Sequence, residues 1–162
     1  HRLARPRRRL TTMPTLTPNL WFDDNAHEAA AFYVSIFPNS RITSSMPVVV
    51  NFELDGQPFS AINGGPVFEL DPAFSIAVDC ADQAEVDHWW ETLLADGGEE
   101  SECGWLKDRF GVSWQIVPSK ALGETLGHPD PAAAERARQA MFTMRKLDIA
   151  ALYAAVESEP EA

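Results

Sequence analysis

The stretch CGWLKDRFGVSWQIVP, Cys103 to Pro118, reads as a strand, a tight turn around Gly111 and a second strand. Fifty-five residues upstream the same design is written as FELDGQPFSAIN, with its turn at Asp55-Gly56. An offset of 55 superposes Gly56 on Gly111, Phe59 on Trp114 and Ile62 on Val117, and an offset of 56 superposes Asp23 on Asp79 and Tyr33 on Trp89. A unit of about that length has been written twice.

The flanking segments complete each copy. TPNLWFD (Thr17–Asp23) is β-prone; Asn25 with Glu28 begins a helix whose Ala29, Phe32, Tyr33 and Ile36 keep helical spacing until Pro38. RITSS, VVVNFEL and QPFSAIN follow as strands before Gly64-Gly65-Pro66. From Ala73 the order restarts: AFSIAVDC is a strand, Asp82 with Glu85 caps a helix carrying Val86, Trp89, Trp90, Leu93 and Leu94, and Gly97-Gly98 ends it.

The expected fold is α+β: two βαβββ modules, at about 17–65 and 73–118 within 15–118, forming a half-barrel cleft with the helices outside. Residues 119–158 read as a helical tail, with one helix starting at Asp130-Pro131 and another capped by Asp148. Met141, Met144, Leu147 and Ile149 are too apolar for a free tail and should pack on the body or on a dimer partner.

The chain has 162 residues, 45% of them hydrophobic, enough for one core. Of its 13 Lys and Arg, five lie in the first nine residues, leaving eight against 24 Asp and Glu in the remainder. So acidic a body should repel nucleic acid and anionic lipid, and no run of about 20 apolar residues could span a membrane. The basic segment 1–14 reads as a disordered upstream extension. With Cys80 and Cys103 the only cysteines, a disulfide framework is not expected and a cytoplasmic setting is the default.

NLWFDDNAHEAAAFYVSIFPNSRI, FELDGQPFSAINGGP, CGWLKDRFGVSWQIVP and AMFTMRKLDIAALYAAV resemble the PhnB-like family, which bears the label 3-demethylubiquinone-9 3-methyltransferase domain. That family belongs to the vicinal oxygen chelate superfamily, with glyoxalases, bleomycin-resistance proteins and extradiol dioxygenases. The resemblance covers about Thr15 to Val156. It departs between Ser45 and Val48, where this chain has only Met46-Pro47 in place of a longer Gly- and Pro-rich loop.

Metal-using members of the superfamily carry ligands on the first and last strand of each module, which the repeat places near Pro18, Ser60, Phe74 and Gln115. The windows LTPNL, PFSAI, PAFSI and SWQIV hold no His, Asp, Glu or Cys. A transition ion needs three or four such donors, so no metal and no cofactor are expected. The resemblance implies a homodimer with a small organic ligand as partner. The commonest methyltransferases use a Gly-rich turn after the first strand of a parallel sheet, whereas here that turn is Asp23-Asp24-Asn25.

Candidate ligand-binding residues at the ends or on the faces of the strands are Trp21, Phe59, Asn63, Trp105, Lys107, Trp114 and Gln115. Strand alternation sends about half of them toward the helices. Lys107, next to Asp108 and Arg109, also reads as part of an exposed charged turn. No catalytic residue is assigned; Cys103 is the candidate for reactivity, and the four histidines read as solvated or capping groups. Three readings stay open: a ligand-binding module, a metal-free lyase or isomerase, and a methyltransferase of the kind the label names.

Overall fold

Both βαβββ repeats fold into four-stranded sheets with the same strand order. In the computed structural model, which describes residues 14–159, the first repeat comprises β1 (Asn19–Phe22), α1 (Ala26–Ile36), β2 (Arg41–Ser45), β3 (Val49–Leu54) and β4 (Gln57–Asn63). The second comprises β5 (Ser75–Asp79), α2 (Gln83–Leu94), β6 (Glu99–Glu100), β7 (Trp105–Lys107) and β8 (Ser113–Val117). The sheets run β1-β4-β3-β2 and β5-β8-β7-β6, so each first strand lies beside the last strand of its own copy. The fold is α+β, two βαβββ modules followed by C-terminal helices α3 (Ser119–Thr125), α4 (Pro131–Phe142) and α5 (Ile149–Glu157). The basic extension expected at 1–14 lies outside the described residues except for Pro14.

The described chain divides into two compact units: residues up to Leu20 with Ala26–Asn63, and Trp21–Asn25 with Gly64 onward. The first unit buries one face of its sheet against α1. Tyr33 on the helix meets Phe52 on β3 with ring centroids 6.3 Å apart, and Phe52 stacks on its cross-strand partner Phe59 at 5.5 Å. Asn51, Ser60 and Ser44 occupy the other face, where the Asn51 amide donates to Ser44 Oγ at 2.7 Å and accepts from Ser60 Oγ. The Asn63 carboxamide accepts the Ala26 N–H at 2.8 Å, satisfying a donor at the start of α1 from β4. At the β2–β3 turn, Met46 N–H donates to Val49 O at 2.9 Å.

The second unit is built likewise. The Asp82 side chain accepts the Glu85 N–H at 2.9 Å, while the Glu85 carboxylate accepts the Ala81 N–H at 2.7 Å, the reciprocal cap read from the sequence. Cross-strand pairing puts Ile76, Leu106 and Trp114 on one face of the sheet, and Ser75, Trp105, Lys107, Ser113 and Gln115 on the other. Val86, Trp90 and Leu93 of α2 are buried with Leu106, Trp114 and Ile116.

The C-terminal helices belong to this second unit. Asp130 and Asp148 cap α4 and α5 by accepting from Ala132 and Ala151 N–H, as expected. The Cys103 and Gly104 amides donate to Met144 O at 2.9 Å and Arg145 O at 2.7 Å, and Leu147 is fully buried beside Gly104. The Gln83 amide clamps the segment from α2, donating to Leu147 O and accepting from Ile149 N–H. Among the described residues, no helix is long and apolar enough to cross a membrane.

Candidate functional site

The β7–β8 hairpin quoted at the outset is shaped by a buried carboxylate. Asp108 is 2% exposed, its Oδ1 accepting the Phe110 N–H at 2.9 Å and the Val112 N–H at 3.0 Å, its Oδ2 accepting the Trp114 indole N–H at 2.9 Å. These donors offset the desolvation of the charge. The reading of Lys107-Asp108-Arg109 as an exposed charged turn is therefore corrected at its centre: Asp108 is the internal brace of the turn. Its neighbours stay partly accessible, Lys107 approaching Glu99 at 3.9 Å and Arg109 lying over the Phe110 ring at 4.5 Å.

Trp21, at the end of β1, faces this turn across a cavity of about 340 Å³ within the second unit. Its indole lies so close over Gly64 that a Cβ there would sit 2.2 Å from Cζ2, a place only glycine can fill. The indole N–H donates to Gly65 O at 3.0 Å, and Phe68 meets the ring edge-on at 5.1 Å and 75°. Phe110 and Lys107 contribute from the hairpin, and Asp23, Asp24 and Glu69 add carboxylates. A smaller cavity of about 190 Å³ shares Lys107 and is lined by Trp105, Glu99 and Ser113.

The structure thus brings Trp21 and Lys107 together around one cavity, and Trp105 and Lys107 around another. Gln115 shares a sheet face with Trp105 and donates to Ser75 Oγ at 2.9 Å. Trp114, 1% exposed, is core held by Asp108; Phe59, 6% exposed, is core of the first unit; Asn63 is the acceptor at the start of α1. Phe68, Glu69 and Phe110 were not anticipated. Phe68 and Glu69 lie in the connection after Gly64-Gly65, which has no periodicity to single them out.

Cys103 is set apart from both cavities. It takes a positive φ of 56°, donates Sγ–H to Met141 O at 3.6 Å, and burial, then the charge of Glu102, raises its thiol pKa. His27 contacts Met46 O at 2.7 Å, His88 lies against the Trp89 ring, and His128 accepts the Asp130 N–H. Among the described residues, no three of His, Cys, Asp and Glu converge to hold a metal ion, so the carboxylates lining the Trp21 cavity do not form a ligand set.

Residues 14–117 match a known family model, described as 3-demethylubiquinone-9 3-methyltransferase. The chain belongs to that family. A solved structure similar to this family member is a putative 3-demethylubiquinone-9 3-methyltransferase, PhnB protein, from Bacillus cereus. It is 30% identical, with 64% of this chain and 98% of that one covered and a TM-score of 0.58. A protein from Pseudomonas aeruginosa shares the fold at 20% identity, over 63% of this chain and 95% of its own, with a TM-score of 0.51. No curated protein matches. The PhnB-like resemblance read from the sequence is borne out.

The family description implies S-adenosylmethionine, and the residues present do not form the Gly-rich cradle that commonly receives it. β1 is followed by Asp23-Asp24-Asn25, and the sheets are two small β1-β4-β3-β2-type sheets instead of one doubly wound parallel sheet.

Proposed function

We propose that this PhnB-like chain binds a small organic molecule in the cavity walled by Trp21, Phe68, Phe110 and Lys107, as a cytoplasmic homodimer and without a transition metal. The observation that carries the reading is the placement of Trp21: an aromatic ring locked by its own N–H to Gly65 O and seated on a glycine is a preformed apolar wall, not a mobile surface side chain. A concave space with aromatic walls and a few polar groups is the usual form of a small-molecule site.

Among the described residues that line the cavity there is no histidine or cysteine, and Cys103, the candidate for reactivity, is engaged with Met141 elsewhere. Methyl transfer rests on the family description alone. The absence of a converged His, Cys, Asp and Glu set supports binding without a metal.

The test is a screen of small flat molecules by native mass spectrometry and isothermal calorimetry, on wild type and Trp21→Ala. The reading expects a dimer mass and at least one ligand whose affinity falls tenfold or more in Trp21→Ala. Ligands that bind both proteins equally would place the site elsewhere and refute it.

A further inference from the structure

The cavity's walls and its charge have opposite polarities. Trp21, Phe68 and Phe110 lie on its lining, with Phe68 meeting Trp21 edge-to-face at 75° and centroids 5.1 Å apart. Its charged groups are Asp23, Asp24 and Glu69 against the single ammonium of Lys107. Lys107 is directed in part to Glu99, at 3.9 Å. One Phe110 face already carries a cation, the Arg109 guanidinium at 4.5 Å.

Aromatic rings on a cavity's lining offer electron-rich surface, which attracts a cation too diffuse to need full hydration. A metal ion would demand converging oxygen or nitrogen donors, which these residues do not provide. A quaternary ammonium demands only π-faces and a negative surrounding field. Resting on the ligand-binding reading above, we infer that the cavity takes an organic cation, a quaternary or tertiary amine with a compact apolar body. Trp21 and Phe68 contact its methyl groups, and Asp24 and Glu69 supply the surrounding charge.

An organic anion would meet one ammonium, Lys107, and three carboxylates, and a neutral ligand would gain no charge attraction from them. The carboxylates at Asp23, Asp24 and Glu69 are exposed, so their contribution is a salt-dependent field, whereas the aromatic contact persists in salt.

The test follows the Trp21 indole N–H by two-dimensional NMR, the resonance being assigned by its loss in Trp21→Phe. The protein is titrated with choline, with its uncharged isostere 3,3-dimethylbutanol, and with the anion 3,3-dimethylbutanoate. Choline should shift the indole saturably with an affinity at least five times that of the isostere, and the anion should bind less well than either. Asp24→Asn/Glu69→Gln, which alters only exposed side chains, should narrow the choline advantage to about twofold or less while leaving the isostere unchanged. If the isostere or the anion binds as well as choline, the cation assignment is overturned and the binding cavity stands. If none of the three moves the indole, both fall.

Discussion

Gly64→Ala should dismantle the Trp21 wall while leaving the backbone able to keep its path. An added Cβ would lie 2.2 Å from Trp21 Cζ2 and 2.3 Å from Cε2, against about 3.5–4.0 Å for an ordinary carbon contact. The indole must move by roughly 1.5 Å, more than its 3.0 Å hydrogen bond to Gly65 O can follow. Overpacking of this kind costs about 1–3 kcal/mol. Gly65→Ala is the matched control. A Cβ there meets nothing within 4 Å, but φ is +87°, so the cost is one of backbone conformation, about 1–2 kcal/mol. Urea unfolding will give similar losses for both variants, and two further readouts separate them. The Trp21 indole N–H should shift strongly in Gly64→Ala and little in Gly65→Ala. In a Trp21→Ala background the Gly64→Ala penalty should nearly vanish, whereas the Gly65→Ala penalty should persist. If Gly64→Ala costs the same with and without the indole, the steric reasoning is wrong.

Leu147→Ala should lower stability by about 2–5 kcal/mol in urea unfolding, because this fully buried side chain fixes the C-terminal segment against Gly104; a loss below 1 kcal/mol would show the segment to be peripheral. Burial, reinforced by Glu85, Asp79 and Asp82, pushes the Cys80 thiol up to about 11. Since the folded state holds this proton longer than the unfolded chain, the associated stability is full below pH 9 and is lost as pH rises toward 11. Cys80→Ala should flatten that alkaline decline, and an unchanged decline would refute the assignment. Calorimetric titration with S-adenosylmethionine should give no saturable heat, and a micromolar isotherm would restore methyl transfer. Dialysis against a strong chelator should leave ligand affinity unchanged, and a loss that zinc or manganese restores would contradict binding without a metal.

The fold was legible because duplication leaves a mark that needs no contact information. Gly56 and Gly111 both take positive φ at equivalent hairpin turns, and Phe59 and Trp114, superposed by the same offset, are both buried on the strands next to them. Caps were readable for the same local reason: Asp82, Asp130 and Asp148 each accept from an amide two or three residues on. α3 lies in the tail read as helical but carries no start signal of its own, being seven residues long, containing Gly123 and following Pro118 without a side-chain cap. The site was less legible because its parts are tertiary. Asp108 looked like a solvent charge between Lys107 and Arg109, and only folding brings the Trp114 indole to it. Trp21 and Gly64 are far apart in sequence, and nothing in either segment announces that one must seat the other. Period-2 alternation did anticipate that part of the candidate list would turn inward, as Phe59 and Trp114 do.

The central claim is that the aromatic cavity of the second unit is where this chain meets a small molecule. Chemical-shift mapping of the uniformly labelled protein against a panel of small aromatic and cationic compounds tests it directly. The account predicts saturable shifts concentrated at the Trp21 indole and at the amides of Phe68, Lys107 and Phe110. Saturable shifts confined to the α4–α5 surface or to the Ser44–Asn51–Ser60 face of the first unit, with the Trp21 indole unmoved, would contradict it.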